Sequence, residues 1–409
     1  MDYGKLNIHV VSDNSGFPIP DATVQITSEN EPENIIEEAV TNNVGQLNDI
    51  ELAAPPVDYS MTPSANKPYS EYTITISASG FESVEINGAE IFSSETAIQN
   101  ASLLPLATGE TDSAELFVIP DHTLWGDYPP KIPESEIKTV EETGEIVLSR
   151  VVIPEYVVVH DGPPSDTRAK DYYVRYRDYI KNVASSEIYS TWPEATIRAN
   201  ILAIQSFTLN RVYTEWYRNK GKDFTITSSA YDHKFVPGRN VFENISAIVD
   251  EIFSEYLSRP NVEQPILTQY CDGKNVSCPN WLSQWGSKAL GDQGYTAIEI
   301  LRNYYGDSIY INSTDEISGI PSSYPGSPLR VGDSGEKVRQ MQRQLNVISN
   351  AYPLIPKIAE DGVFGPATEE AVKTFQRIFG LTQDGIVGFR TWYKISEIYV
   401  GVSRIAELV

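Results

Sequence analysis

An internal repeat in the last fifth of the chain most narrows the folds that this sequence can adopt. Residues 361–368 read Asp-Gly-Val-Phe-Gly-Pro-Ala-Thr, and residues 384–391 repeat the pattern as Asp-Gly-Ile-Val-Gly-Phe-Arg-Thr. In each copy Asp-Gly is typical of a tight turn, the second glycine permits close packing, and the threonine can cap the helix that follows. The repeat therefore predicts a small helical domain built around two copies of one turn.

The residues around the repeat resemble a known family. They include the segment Leu-Arg-Val-Gly-Asp-Ser-Gly at residues 329–335, a helical pattern through Val338, Met341 and Leu345, and Ala371, Val372, Phe375 and Gln376 between the two turns. Together they resemble the peptidoglycan-binding domain type 1. The resemblance implies a three-helix module over residues 329–409 that binds wall glycan or stem peptide. A linker rich in proline and serine, residues 319–328, precedes this module.

Acidic residues are concentrated in the first third of the chain. The net charge is −25, of which residues 1–150 carry −21 and the remainder −4. Without its first third the chain would be repelled less by an anionic wall polymer, although the charge can equally serve solubility. No basic stripe suits nucleic acid, and no run of 18 apolar residues suits membrane insertion. The first five residues lack the apolar segment of a secretory signal, so we expect none.

Residues 1–105 alternate apolar and polar side chains in short runs separated by turn-forming residues, which predicts an all-β sandwich. The segments at residues 16–24, 41–45 and 72–81 resemble the carboxypeptidase regulatory-like, transthyretin-type sandwich. Such modules usually bind or shield other surfaces rather than catalyse. We interpret them as a pro-region.

Residues 106–150 are acidic and contain several prolines, which indicates a linker. Near its end lies a short apolar stretch that a protease could bind as an extended strand, and we predict the activating cleavage there, at Val147, Leu148, Ser149 and Arg150. The same stretch could equally be the first strand of the next domain.

Residues 151–318 combine short strands with helical periodicity, which predicts an α+β domain. Thr191 is placed to cap a helix, with Glu194 three residues later as its capping-box partner. That helix continues through an apolar stripe towards Gly221. Further helices are expected over residues 244–258 and after Gly294.

Two segments of this domain resemble the catalytic region of stage II sporulation protein D (SpoIID), a lytic transglycosylase family. The first, residues 179–200, contains a Ser-Glu before Trp-Pro and then a helix. The second, residues 283–306, contains Ser-Gln-Trp-Gly and Ile-Leu-Arg-Asn-Tyr-Tyr. The sequence departs from the family at Asn200 and Gln205, where glutamine and arginine are expected.

The resemblance implies that Glu187 is the catalytic acid. Cleavage of a glycosidic bond needs a protonated carboxyl beside the leaving oxygen, and burial among Ile188, Tyr189 and Trp192 would raise the pKa of Glu187. The resemblance further implies six substrate-binding side chains: Trp192, Asn200, Gln205, Ser283, Gln284 and Tyr304.

No cofactor or metal is predicted. The soft ligands of the central domain are His160, His233, Cys271 and Cys278, and the spacing of the cysteines suits zinc poorly. The cysteines could form a local disulfide or remain as thiols. Asp232 and His233 could orient substrate, but a hydrogen bond within their loop is the favoured explanation.

The domain order resembles the clostridial spore cortex-lytic enzymes along nearly the whole chain. That resemblance implies a precursor stored in the cortex or coat region of the spore. There it would be activated by a subtilisin-like Csp protease and would then cleave cortex peptidoglycan to leave 1,6-anhydro-muramyl ends. Two alternatives remain, an N-acetylmuramoyl-L-alanine amidase and a non-catalytic wall-binding protein.

Overall fold

A computed structural model describes residues 2–12, 17–106, 112–122, 124, 148, 150–278, 281–315, 317–318, 325 and 327–403 of the chain. The described part is a multidomain mixed α/β protein. Of the predicted cleavage region, Leu148 and Arg150 are described, whereas Val147 and Ser149 lie outside the described residues, as does most of both predicted linkers. Among the helices described, none combines the length and the apolar character needed to cross a bilayer.

The N-terminal part consists of two β-sheets that pack face to face, which we call the N-terminal sheet pair. Its strands alternate buried and exposed residues, because one face of each sheet meets the shared core. The elements are β1 (Asp2–Ser12), β2 (Thr23–Ser28), β3 (Glu31–Val40), β4 (Gln46–Ala54), helix α1 (Asp58–Met61), β5 (Ser70–Ser77), β6 (Val84–Ile91), β7 (Thr96–Leu103) and β8 (Glu115–Val118).

The first sheet has the order β7-β1-β4 and the second β3-β2-β5-β6-β8. Strand β8 pairs parallel with β6, from Val84↔Glu115 to Asn87↔Val118, so the sheet pair extends beyond the boundary predicted at residue 105. Sequence reasoning missed β8 because it is four residues long and leaves Leu116 and Val118 exposed, which gives no clear apolar face.

The central domain surrounds a long helix with shorter helices and two- to five-residue strands. Its strands are β9 (Ile153–Pro154), β10 (Tyr156–His160), β11 (Asp171–Arg175), β12 (Ile226–Thr227), β13 (Val241–Phe242), β14 (Glu255–Ser258), β15 (Tyr270–Cys271), β16 (Leu282–Ser283), β17 (Tyr310–Ser313) and β18 (Ile317–Ser318). Its helices are α2 (Tyr176–Glu187), α3 (Glu194–Tyr213), α4 (Glu243–Ile252), α5 (Gln284–Asp292) and α6 (Ala297–Tyr305), with a 3-10 turn at Arg218–Lys220.

Helix α3 is buried nearly all round rather than along one stripe. Its polar residues are accommodated inside because hydroxyls bond to the preceding turn: Ser206 Oγ donates to the Leu202 carbonyl at 2.6 Å and Thr208 Oγ1 to the Ile204 carbonyl at 2.8 Å. The predicted Thr191 cap is wrong. Pro193 holds the N-cap position, and the Thr191 hydroxyl instead donates to Ser60 Oγ of the N-terminal sheet pair at 2.7 Å.

Two other helix boundaries differ from the prediction. Helix α4 ends at Ile252, and residues 255–258 form strand β14, which pairs with β17. Helix α3 ends at Tyr213, and Gly221, with φ of 73°, caps the following 3-10 turn. The helix expected after Gly294 is present as α6, which starts with a capping box formed by Thr296 and Glu299.

The N-terminal sheet pair and the central domain share one hydrophobic core. Strand β13 of the central domain joins the first sheet as its outer strand, with Val241 opposite Ile98 and Phe242 opposite Ala97 of β7. The two parts are therefore joined through backbone hydrogen bonds as well as side chains.

The C-terminal domain has its own core around Phe375 and Trp392. Its helices are α7 (Glu336–Ala351), α8 (Pro366–Ile378) and α9 (Phe389–Ser403), which confirms the predicted helical domain. We call it the C-terminal module.

Both predicted Asp-Gly turns of this module are present, and each is held by a glutamine. Gln342 Nε2 donates to Asp361 Oδ1 at 3.1 Å and to Thr368 Oγ1 at 3.1 Å, and its Oε1 accepts from the Gly362 amide at 2.8 Å. Gln376 makes the same three contacts with Asp384, Thr391 and Gly385. The threonines thus accept from glutamine rather than cap the next helix, because Gly365 already occupies the N-cap of α8.

Candidate active site

Glu187 is the last residue of α2 and is completely buried. Its Oε1 accepts a hydrogen bond from the Lys234 backbone amide at 2.7 Å, and its Oε2 accepts one from the Tyr270 hydroxyl at 2.5 Å. The expected neighbours Ile188, Tyr189 and Trp192 are also buried. A carboxyl in such a setting, with defined donors on both oxygens, has the fixed orientation that general acid catalysis requires.

Tyr270 is positioned by a small disulfide-closed loop. It precedes Cys271, which is bonded to Cys278, so the disulfide reading of the two cysteines is the one that the structure shows. Inside this loop Asp272 accepts hydrogen bonds from three backbone amides, those of Lys274, Asn275 and Val276. The loop therefore holds β15, and with it the hydroxyl that contacts Glu187.

Lys234 connects the candidate acid to the N-terminal sheet pair. While its amide donates to Glu187, its ammonium donates to the Asp121 carbonyl at 2.8 Å. Burial is the main cause that lowers the pKa of Lys234 to about 8. One residue thus contacts both the candidate acid and the segment that follows β8.

A buried charged cluster lies at the same junction. Glu90 of β6 lies 2.7 Å from Arg239 Nη1 and 2.9 Å from His122 Nδ1, and all three side chains are at most 1% exposed. Burial lowers the pKa of His122 to about 4. Burial alone would raise the pKa of Glu90, but Arg239 and His122 outweigh it and keep that pKa below its ordinary value. Arg239 also donates to the Pro120 carbonyl at 3.0 Å.

An aromatic cluster lies beside Glu187 in sequence. Trp192 packs against Trp285 with ring centroids 5.0 Å apart, and Tyr189 contacts both rings. The N-terminal sheet pair completes the cluster, since Phe92 lies 5.5 Å from Tyr189 and the Trp192 indole donates to the Ser60 carbonyl at 2.9 Å. Trp192, predicted to bind substrate, is therefore covered by the N-terminal sheet pair.

The Ser-Gln-Trp-Gly segment forms the start of α5. Ser283 Oγ caps the helix by accepting from the Gly286 amide at 2.9 Å, and Tyr304 lies over Gly286, where a Cβ would collide with its hydroxyl. Gln284 is fully buried, and neither end of its side-chain amide has a hydrogen-bond partner among the described residues. Buried amides are normally hydrogen-bonded. Among the predicted substrate-binding residues, Gln284 therefore has the clearest capacity to form further hydrogen bonds.

Asn200 and Gln205 are engaged inside the protein. Asn200 Nδ2 donates to the Thr196 carbonyl and to Ser287 Oγ, both at 2.9 Å, and so ties α3 to α5. Gln205 Nε2 donates to the carbonyls of Ile252 and Glu255 and so fixes the end of α4. Both side chains are buried, and their amide groups hold α3 against the neighbouring helices.

Asp232 is fully occupied within its loop, where it accepts from Thr227, Tyr217 and Arg211. His233 Nδ1 lies 2.9 Å from the Tyr179 hydroxyl, and its ring stacks near Tyr270. Within the described ranges no three His, Cys, Asp or Glu side chains come together as a metal site would require.

Sequence reasoning missed Tyr270, Lys234, Glu90 and Arg239. Tyr270 lies in a two-residue strand, and Lys234 acts through its backbone amide, so neither carries a local pattern. Glu90 and Arg239 are 149 positions apart, and only their pairing in the fold reveals them.

Comparison with known proteins shows which family the C-terminal module matches. Residues 334–395 match the family described as "Putative peptidoglycan binding domain". The zinc D-Ala-D-Ala carboxypeptidase of Streptomyces albus G is 38% identical over 89 residues, which are 21% of this chain and 33% of that protein. An uncharacterized protein in the bpoA1 3′ region of Kitasatospora aureofaciens is 44% identical over 64 residues, 15% of this chain and 50% of that protein. The chain thus spans half or less of the curated relatives it matches.

Two solved structures are each similar to a short part of the chain. The SleB N-terminal domain is 31% identical with a TM-score of 0.17, over 19% of this chain and 99% of that one. A peptidoglycan-binding protein from Clostridioides difficile, in complex with glutamine hydroxamate, is 33% identical with a TM-score of 0.16, over 18% of this chain and 42% of that one. What the family match shows for this chain is a peptidoglycan-binding domain at residues 334–395 of its C-terminal module.

Proposed function

We propose that the chain is the inactive precursor of a spore cortex peptidoglycan lytic transglycosylase, similar to the clostridial enzyme SleC, with Glu187 as its catalytic acid. The observation that carries this proposal is the fixed carboxyl of Glu187, which Tyr270 and the Lys234 amide hold within a chain that also has a peptidoglycan-binding module. The resemblance of two segments to the SpoIID family supports the same residue as the acid.

The proposed reaction needs a single carboxyl. Glu187 donates its proton to the oxygen that links MurNAc C1 to GlcNAc, and that C1–O bond breaks. The MurNAc C6 hydroxyl attacks C1, its proton passes to the Glu187 carboxylate, and a 1,6-anhydro ring forms. Donors on both carboxylate oxygens stabilise the charge that develops on Glu187 during the first step. The six substrate contacts stay predictions: Trp192, Asn200, Gln205, Ser283, Gln284 and Tyr304.

The N-terminal sheet pair is proposed to be an inhibitory pro-region. Support comes from its contacts with both sides of the candidate site: Ser60 with Trp192, and Asp121 with Lys234. Glu187 is completely buried, so substrate can reach it only after some of the surrounding residues move, and the proposal is that these contacts part first. Repulsion from anionic cortex is a weaker contribution, because salt screens exposed charges beyond about 8 Å at physiological ionic strength.

Activation is proposed to follow cleavage by a Csp-type protease within residues 147–150, in the spore cortex or coat region. Arg150 is exposed, whereas the Leu148 amide donates to the Tyr213 carbonyl at 2.9 Å, so a protease would first have to break this hydrogen bond. The proposed site therefore suits a protease that binds its substrate as an extended strand.

Product analysis tests the activity. The chain, cleaved at an introduced protease site between residues 129 and 141, is incubated with purified spore cortex, and soluble products are identified by mass spectrometry. We expect 1,6-anhydro-muramyl ends. Freed stem peptides would indicate the amidase instead, and an intact polymer would indicate a non-catalytic wall-binding protein.

A comparison of intact and cleaved chain, at low and high salt, tests the inhibition. We expect the intact chain to be inactive at both salt concentrations and the cleaved chain to be active. Equal rates for both forms would contradict the pro-region. If high salt alone activated the intact chain, charge repulsion rather than steric cover would be the cause.

A further inference from the structure

A groove of about 200 Å³ lies where the central domain meets the C-terminal module. One wall is the turn at residues 218–223, and the other is the first two turns of α7 together with Glu360. Cations outnumber acids among its lining side chains, in a chain whose net charge is −25. The cations are Arg218, Lys222, Lys337, Arg339 and Arg343, and the acids are Asp223, Glu336 and Glu360.

The two walls are held together by contacts across the junction. Tyr173 of the central domain meets Tyr399 of the module with ring centroids 6.2 Å apart, and Arg343 Nη2 lies 3.7 Å from Asp223. Lys337 of the module is close enough to Glu215 and Arg218 to be influenced by both charges, and burial lowers its pKa to about 8. The groove is therefore formed before any ligand arrives, which limits the ordering entropy lost on binding.

The deepest cation of the groove has an unmet donor. The Arg218 side chain is 4% exposed, its Nε lies 3.9 Å from Glu215, and its Nη2 makes a long 3.5 Å contact with Thr225. Its Nη1 is buried and has no hydrogen-bond partner among the described residues. Buried guanidinium groups are normally fully paired, and the acceptor that fits their two parallel N–H groups best is a carboxylate.

We propose that this groove binds a carboxylate of the peptide stems of peptidoglycan. The proposal rests on the proposed function, because it assumes that the module brings peptidoglycan to the domain that carries Glu187. Peptide stems carry free carboxylates, whereas the glycan between them does not, so a cationic groove distinguishes the two parts of the polymer. Lys222 adds a second cation on the same wall as Arg218. A stem bound here would set the register of the glycan relative to the catalytic domain.

The test uses the full chain with the charge of one residue on each wall reversed, Lys222→Glu of the partly buried turn with Arg343→Glu of exposed α7 surface. The matched control is Arg168→Glu with Arg377→Glu, which makes the same charge change on exposed residues of the same two domains outside the groove. Binding is measured by sedimentation with two polymers, intact cortex peptidoglycan and the same material after its carboxylates have been converted to primary amides with a carbodiimide and ammonium ion. Circular dichroism checks that each variant is folded.

For the groove variant we expect binding to intact peptidoglycan to weaken by about tenfold, the effect of losing roughly one charge-assisted hydrogen bond, with the amidated polymer bound as it is by the unaltered chain. The control should change neither. Equal weakening on both polymers, or no weakening, would overturn the subsite and leave the proposed function standing. If the unaltered chain sedimented with neither polymer, the proposed function would fail, and the subsite with it. A further variant, Arg218→Gln, should reproduce the selective loss.

Discussion

Glu90 and Arg239 form an ion pair of 2.7 Å across the junction between the N-terminal sheet pair and the central domain, with both side chains almost completely buried. A buried pair of this kind contributes little net stability, but loss of one partner is costly because the other charge is left without compensation. The pair therefore makes the covered state sensitive to single substitutions.

We expect Arg239→Met to destabilise the intact chain by about 3–5 kcal/mol, since Glu90 would keep its charge without its main partner. The proposed pro-region should then separate more readily, and the uncleaved chain should gain the ability to cleave cortex. Thermal unfolding and turbidity loss of spore cortex measure the two effects. The double variant Glu90→Gln with Arg239→Met should recover much of the stability. An Arg239→Met chain that melted like the parent would show that the pair does not hold the junction.

For Glu187→Gln we expect cleavage by the activated enzyme to fall by at least about 10²-fold, because the amide cannot donate an acid proton. Sedimentation with cortex should be unchanged. Glu194→Gln is the matched control, since Glu194 lies nearby at the start of α3 with its side chain 75% exposed. Retention of more than about a tenth of the activity would remove Glu187 from the role of acid.

Tyr270→Phe removes the hydroxyl that contacts Glu187 and keeps the ring beside His233. We expect kcat of the activated enzyme to fall by about 10- to 100-fold with a smaller change in KM, because one donor to the developing carboxylate is lost. Tyr217→Phe is the matched control, since its hydroxyl also donates to a buried carboxylate, that of Asp232, at 2.6 Å. Both variants should lose stability, but only Tyr270→Phe should lose activity below the melting temperature. Equal activity losses would reduce Tyr270 to a structural residue.

Reduction of the Cys271–Cys278 disulfide should lower the free energy of unfolding by about 2–3 kcal/mol, the loop-closure value for so short a loop. Activity should fall as well, because the strand carrying Tyr270 begins this loop. Melting curves and rates with and without dithiothreitol measure both. The variant Cys271→Ser with Cys278→Ser should behave like the reduced chain and should not respond to dithiothreitol; a response there would place the effect elsewhere.

Glu95 provides a pH-dependent prediction. Burial raises its pKa to about 7 from an ordinary value of 4.5, so between these values the folded chain binds a proton that the unfolded chain releases. Stability therefore falls as pH rises from 4.5 to 7. Glu95→Gln should remove this dependence and stabilise the chain at pH 8 by about 1–2 kcal/mol, after allowance for partial exposure of the carboxyl. If denaturant curves of the two proteins differed equally at pH 4 and pH 8, Glu95 would not be the group responsible.

Local sequence patterns predicted the helices and turns whose formation depends on residues close by in the chain. The spacing of Val338, Met341 and Leu345 predicted α7, and the repeated Asp-Gly predicted both turns of the module, because each depends on neighbours within a few residues. The helix after Gly294 was predicted for the same reason.

The surroundings of Glu187 could not be predicted in this way. Tyr270 reaches Glu187 from 83 positions away, and Ser60 covers Trp192 from 132 positions away. Thr191 illustrates the conflict: its local pattern favours a helix cap, yet contact with Ser60 takes its hydroxyl. Strand β13 has only two residues, and it exists because β7 offers a free edge.

The contacts of Gln342 and Gln376 also determine where the C-terminal module can tolerate insertions and deletions. Gln342 reaches an aspartate 19 positions ahead, whereas Gln376 reaches one only 8 positions ahead, yet both make the same three contacts. The turn is thus specified by a side chain from a neighbouring helix and not by the number of residues between them. Insertions or deletions in the loop after α7, where Leu354 is 74% exposed, should be tolerated as long as Gln342 keeps its place on the helix.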